Sequence, residues 1–321
     1  MECTLRMGGS SLGCLVGGGA TRSSTDAARR VWVRSCGVRR RRAMARAGGG
    51  APLAEESMEV PMAGGAGGVM RGTVTRAGGE AKGCVVLCHG FRSSRNTRLF
   101  RGLVEALDAA GWSTARFDFP GNGDSDGAFK YGNYAEEAEA IAAIVRCVEA
   151  DAGAGRVRCV LGHSKGANSV LLYLGRREAD EQGGVAAAVA VAGRYDVRDG
   201  VVERFGREAL DELEAKGEVA QRDGRGVYVV SRDGMRERMA LDMPEALGRL
   251  GESQWGPEVL VIHGRDDPVV PHEDAERIGT ALGGRARVEL VSGADHNFAK
   301  GDALRHLAAS VVAFVDRAAG A

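Results

Sequence analysis

The chain has 321 residues, 43 basic and 43 acidic side chains, and a hydrophobic fraction of 44%. It contains no apolar run near the roughly 18 residues that cross a bilayer, so no transmembrane segment is expected and a soluble globular body is. The neutral balance hides an asymmetry: residues 1–50 carry ten arginines against Glu2 and Asp26, leaving 33 basic and 41 acidic side chains in the rest. An acidic body does not seek phosphate backbones, which argues against a nucleic-acid partner.

Residues 1–50, rich in Arg, Gly, Ala and Ser, read as a transit peptide, with the chloroplast as the expected destination and the mitochondrion as the alternative. A disordered basic arm that touches nucleic acid or acidic membrane is the competing reading, and without cleavage the protein is cytoplasmic. Residues 51–68 read as a linker with one short edge strand at 57–62. Residues 69–321 form the expected domain. From Gly83, short apolar strands alternate with helical patterns. GCVVLCHG is followed by a helix over 97–111, STARFDF by a helix over 134–152, and RVRCVLGH by a helix after Ser164 and the strand VAAAVAVAG. This rhythm specifies an α/β fold of parallel strands joined by crossover helices, and strands apolar throughout imply a sheet covered on both faces.

Between about 193 and 255 the rhythm breaks into a mostly polar excursion with an amphipathic stretch at 207–216 and the strand-like GVYVVS at 226–231. An excursion of that length reads as a lid or as a surface helical insertion. Then come VLVIHG, a helix over 272–282, the strand RVELV and a last helix over 302–317. Cys84, Cys88, Cys147 and Cys159 fall in apolar patterns and are expected as reduced core thiols. No ligand spacing suggests a metal, and no cofactor is expected.

The candidate chemistry sits where RVRCVLGH meets a helix start, at Gly162-His-Ser164-Lys-Gly166. A strand, a sharp turn and a helix are the context in which this motif exposes a nucleophilic serine. Gly162 and Gly166 are the elbow residues whose small size lets neighbouring backbone pass. A serine hydroxyl needs a base within hydrogen-bond reach, itself oriented by a carboxylate. His89, His163 and His263 end strands beside glycine and read as structural. His272 and His306 lie on helix surfaces. His296, in the loop after the last strand, is free to reach over the sheet. Asp267, fixed before Pro268, is preferred to Asp266 as the acid. The backbone N–H groups of Phe91 and Lys165 are the candidate oxyanion donors; the Lys165 side chain is expected to point to solvent. Phe91, Phe119, Phe129, Tyr131 and Tyr134 form either an apolar wall at the mouth or part of the core.

Five segments, HGFRSSRNT, ARFDFPGNGDSDG, GHSKGANSVLLY, HGRDDPVVP and GADHNF, together resemble α/β hydrolases of the serine aminopeptidase S33 or Hydrolase-4 type. Within that group the chain is similar to a plant and algal branch of esterase, lipase or thioesterase-like proteins and to cinnamoyl (feruloyl) esterases. The resemblance spans 83–318 and implies an α/β-hydrolase fold, a mostly parallel central sheet flanked by helices with a lid insertion. It implies Ser164, Asp267 and His296 as a triad and Phe91 and Lys165 as oxyanion donors, and an Arg116–Asp118 ion pair bracing its loop. Ala167 departs from it, since many relatives carry glycine there. The expected activity is hydrolysis of a small-molecule ester of small to medium acyl groups through an acyl-enzyme. The alternatives are a monoacylglycerol lipase, a thioesterase, an S33-type peptidase, and a non-catalytic ligand-binding protein. The oligomeric state is not legible.

Overall fold

Cys84–Cys88 and Ala187–Val191 are buried at every position, which requires a sheet covered on both faces. The computed structural model describes residues 37–40, 53–62, 67–151, 153–176, 184–254 and 256–320, with side chains in all but the first of these segments. The described strands are β1 (Gly37–Arg40), β2 (Ala54–Pro61), β3 (Val69–Arg76), β4 (Cys84–Cys88), β5 (Ser113–Phe117), β6 (Val157–His163) and β7 (Ala187–Val191). A hairpin follows, β8 (Glu218–Asp223) and β9 (Gly226–Ser231), and then β10 (Glu258–Gly264) and β11 (Ala286–Val291). Outside the hairpin they form one sheet in the order β1-β2-β3-β5-β4-β6-β7-β10-β11. The strands from β5 to β11 in that order are parallel, and β1, β2 and β3 extend the sheet antiparallel. The mostly parallel sheet flanked by helices is the architecture expected from the alternating rhythm.

The described α-helices are α1 (Arg98–Ala109), α2 (Tyr134–Ala150), α3 (Lys165–Gly175), α4 (Val201–Phe205), α5 (Arg207–Lys216), α6 (Arg232–Ala240), α7 (Met243–Glu252), α8 (Glu273–Leu282) and α9 (Ala303–Ala318). One apolar cluster joins the sheet to α2, α3, α7 and α8, and a second joins its other face to α1 and α9. Thr97 starts α1 by accepting a hydrogen bond on Oγ1 from the Phe100 N–H at 3.2 Å, which satisfies an otherwise orphan donor. The chain leaves β4 toward β5 on one side and returns to β6 on the other. That reversal opens a crevice at the carboxyl ends of β4 and β6, the usual ligand position in such sheets.

Three features differ from the sequence expectations. Gly37–Arg40, within the expected leader, pairs antiparallel with β2, so β2 is not the sheet edge; the rest of residues 1–50 lies outside the described residues. β3, not anticipated, alternates buried and half-buried positions around Gly72, where a Cβ would lie 2.9 Å from the Arg116 carbonyl. The excursion at 193–255 divides in two. Met243, Leu247 and Leu250 of α7 join the main core, whereas Val201, Phe205, Leu213, Val219, Tyr228, Val230 and Met235 form a separate cluster with Tyr131. The cover is therefore α4 to α6 with the hairpin, and α7 belongs to the body. Cys84, Cys88 and Cys159 are buried free thiols, as expected; Cys147 lies on a buried face of α2.

Candidate active site

Ser164 links β6 directly to α3 with φ 56° and ψ −122°, a strained region for a residue bearing a Cβ. Close backbone contacts hold it there. A Cβ on Gly162 would lie 2.2 Å from the Gly166 carbonyl oxygen, and one on Gly166 would lie 2.3 Å from that of Cys88. The Ser164 N–H donates to the Val191 carbonyl at 2.8 Å. Ala167 is fully buried and tolerated, with its methyl 3.1 Å from where a Cβ on Gly193 would sit.

His296 comes in from the loop after β11, and its Nε2 lies 2.9 Å from Ser164 Oγ. Its Nδ1 donates to Asp267 Oδ2 at 2.7 Å, which fixes the ring with Nε2 as the acceptor toward the serine. The Asp267 side chain is fully buried. Its Oδ1 accepts from the N–H groups of Val269 and Val270, and its Oδ2 accepts a second bond from His263 Nε2 at 3.0 Å. Burial alone would raise this carboxyl, but the bonds from His263 and His296 outweigh it and hold Asp267 below the usual carboxylate range. Asp266 is exposed. Residues 103 and 29 positions apart in the sequence thus meet in one hydrogen-bonded row.

The remaining strand-end histidines are held by backbone. His163 Nε2 donates to the His296 carbonyl at 2.8 Å, and burial, aided by the nearby His296, pushes its imidazole down to about 4. His89 Nδ1 donates to the Gly90 carbonyl while its Nε2 accepts from the Phe119 N–H at 3.0 Å, and burial lowers its pKa as well. His263 is less remote than its strand-end position suggested, because it bonds Asp267.

Phe91 follows β4 and, with Ser164 and Lys165, borders a cavity of about 410 Å³. Lys165 is the first residue of α3, where a backbone N–H has no intrahelical acceptor. Its side chain corrects the sequence expectation: Nζ is buried and bonds Asn133 Oδ1 at 2.6 Å and Glu137 Oε1 at 2.5 Å, with the Tyr134 ring 4.9 Å away. Ser169 Oγ completes this cluster by donating to Glu137 Oε2 at 2.6 Å. Burial lowers the Lys165 ammonium, opposed by Glu137. The expected Arg116–Asp118 pair does not form. Arg116 bonds Glu55 of β2 at 2.6 Å; Asp118 accepts from the Arg95 N–H and guanidinium and from the Asp124 N–H, tying together the loops after β4 and β5.

The cover brings residues that sequence reasoning missed. The hairpin turn grips the Phe91 loop: Arg225 donates to the carbonyls of Phe91 and Arg92 at 2.8 and 2.5 Å, and Arg92 bonds Asp223 at 2.6 Å. Tyr131 and Tyr134 are buried, whereas Phe91 packs edge-on against Phe129, Tyr131 and Tyr228, so the aromatic set divides between wall and core. Arg238 of α6 reaches the cavity and donates to the Tyr134 hydroxyl. Among the described residues, no cluster of His, Cys, Asp and Glu is arranged to hold a metal, and no helix is long and apolar enough to cross a membrane.

Among curated proteins, none matches the sequence. Solved structures share its fold at low identity. A putative hydrolase from Agrobacterium vitis S4 is 18% identical with a TM-score of 0.64, covering 83% of this chain and 100% of its own. Est1E from Butyrivibrio proteoclasticus, solved with ferulic acid bound, is 18% identical with a TM-score of 0.62, covering 80% and 98%. The Pyrococcus furiosus esterase Pf2001 is 19% identical with a TM-score of 0.60, covering 88% and 98%. These likenesses are of fold. The profile of the family described as serine aminopeptidase, S33, matches residues 79–301. With that match spanning more than half of its length, the chain belongs to the serine aminopeptidase S33 family of α/β hydrolases.

Proposed function

We propose that the protein is a serine esterase that hydrolyses carboxylic esters of small to medium acyl groups. The observation that carries this reading is the row Asp267–His296–Ser164, with bonds of 2.7 and 2.9 Å, opening into the cavity under the cover. Ser164 Oγ attacks the ester carbonyl as His296 Nε2 takes its proton, and Asp267 stabilises the imidazolium that forms. The N–H groups of Phe91 and Lys165 receive the developing oxyanion. Collapse expels the alcohol, protonated by His296, and a water activated by the same ring releases the acid.

The experiment is fluorophosphonate labelling of the full chain, followed by turnover of short-chain p-nitrophenyl esters. Labelling that is lost in Ser164→Ala and His296→Ala, together with turnover in the wild type, supports the esterase. A folded wild-type chain that neither labels nor turns over esters is a binding protein instead. The basic residues 1–50 are an organellar leader addressed to the chloroplast, on the strength of ten arginines against two acidic residues. The mass of the mature N-terminus tests this, and a cellular protein that keeps Met1 refutes it.

A further inference from the structure

A buried guanidinium is costly unless a counter-charge or a full set of acceptors meets it. Arg238 is only 9% exposed. It donates to the Tyr134 hydroxyl, and its guanidinium lies 5.0 and 5.6 Å from the Tyr131 and Tyr134 ring centres. Its Nε is buried without a hydrogen-bond partner, and no described carboxylate lies within ion-pair distance of it. Glu137, the buried carboxylate described nearby, is already taken by Lys165 and Ser169.

Two more arginines border the same cavity. Arg194 donates to the Val269 carbonyl at 2.9 Å, and Arg204 stacks its guanidinium 4.3 Å from the centre of the Phe91 ring. Neither forms an ion pair with a described carboxylate. Asp199 and Glu203, the acidic residues of the lining, are both exposed, and Asp199 faces Arg277 at 3.4 Å. Three cationic forks, one of them desolvated, therefore surround a cavity that Ser164 also borders, and planar guanidinium groups match carboxylate geometry.

We propose that the substrate carries a carboxylate besides its ester, seated on Arg238 with Arg194 and Arg204 nearer the mouth. The turnover part of this inference rests on the serine-esterase reading; the binding part does not. The negative group lies either in the acyl part or in the alcohol part of the ester, and paired substrates separate the two.

The test uses the full chain and compares kcat/KM for monomethyl adipate against its amide-capped analogue, and for O-butyryl glycolate against O-butyryl glycolamide. A charge-assisted bond made in a dry site gives the anion of at least one pair an advantage of about 10- to 100-fold, and Arg238→Gln removes most of it. The pair that shows the advantage assigns the charge to the acyl or to the alcohol side. Equal rates within each pair overturn the proposal, as does an advantage that survives both Arg238→Gln and Arg194→Gln. In parallel, millimolar adipate raises the melting temperature of the wild type more than adipamide does. The exposed Arg204→Gln, which leaves the core intact, weakens that difference even if Arg238→Gln does not fold. A chain that resists fluorophosphonate yet is stabilised by adipate through Arg238 keeps the anion site and loses the esterase. A chain that labels but gains nothing from adipate and prefers neutral esters keeps the esterase and loses the anion site.

Discussion

Asp267 is the residue on which the proposed chemistry turns, because two imidazoles donate to the same Oδ2. Replacing it with Asn puts an amide where His296 Nδ1 needs an acceptor for its N–H, which favours the wrong tautomer. Ester turnover by Asp267→Asn is expected to fall about 10⁴-fold with the fold retained, as measured by kcat and circular dichroism. Lys165 offers a cleaner separation of side chain from backbone. Lys165→Met strands the buried Glu137 charge and is expected to lower stability by about 3–5 kcal/mol in urea unfolding. Adding Glu137→Leu should recover most of that loss. The backbone N–H survives both changes, so the folded double variant should still react with fluorophosphonate at Ser164; loss of labelling there would mean that the ammonium itself takes part.

Among the elements, the hairpin β8–β9 does more than cover the cavity. Its turn holds the Phe91 and Arg92 carbonyls through Arg225 and is held in return by Arg92 on Asp223. The peptide that carries a proposed oxyanion donor is therefore positioned by a segment some 130 residues later in the chain. Losing a donor outright typically costs about 10²- to 10³-fold in kcat. Arg225→Ala only loosens the loop and is expected to lower kcat about tenfold, with a smaller change in KM for a short ester. An unchanged kcat would show that the loop holds its position through Asp118 and Arg95 alone. GVYVVS announced one strand of this hairpin, but its partner Glu218–Asp223 is polar, with a single buried position, and gave no apolar signal. α7, which the sequence reading left inside the excursion, opens at Asp242, which accepts from the Glu245 N–H at 2.9 Å with Pro244 in the first turn, a standard helix opening.

For the whole molecule, the buried histidines set a pH dependence. His163 titrates near 4 in the fold and near 6.5 when free, so the unfolded chain binds the extra proton across that interval. Stability is then fully present above about 6.5 and declines as pH falls toward 4, by about 3 kcal/mol from this group. His89, lowered in the same direction, adds to the loss. Urea midpoints followed from pH 7 to pH 4 should show it, and a His163→Gln variant should show a shallower decline. Flat stability across that range would mean that the folded state protonates these rings without penalty.

The sequence by itself determined the layer order and where the residues of the candidate site fall in the chain. Uninterrupted apolar strands permit only a sheet buried on both faces, and the glycines around Ser164 mark backbone approaches that no side chain fits. Asp267 and His296 were legible because each sits in a loop directly after a strand, where the fold leaves few places for a side chain to go. Partners fixed by distance in space were not legible. Lys165 points inward because Glu137 of α2 and Asn133 just before it face it, and Arg116 finds Glu55 because β3 and β2 add to the sheet beside β5. The arginines around the cavity follow the same rule. Only the folded cover decides that Arg238 is buried at the cavity Ser164 also borders, with no described carboxylate within ion-pair distance, because burial and counter-charge belong to the assembled molecule.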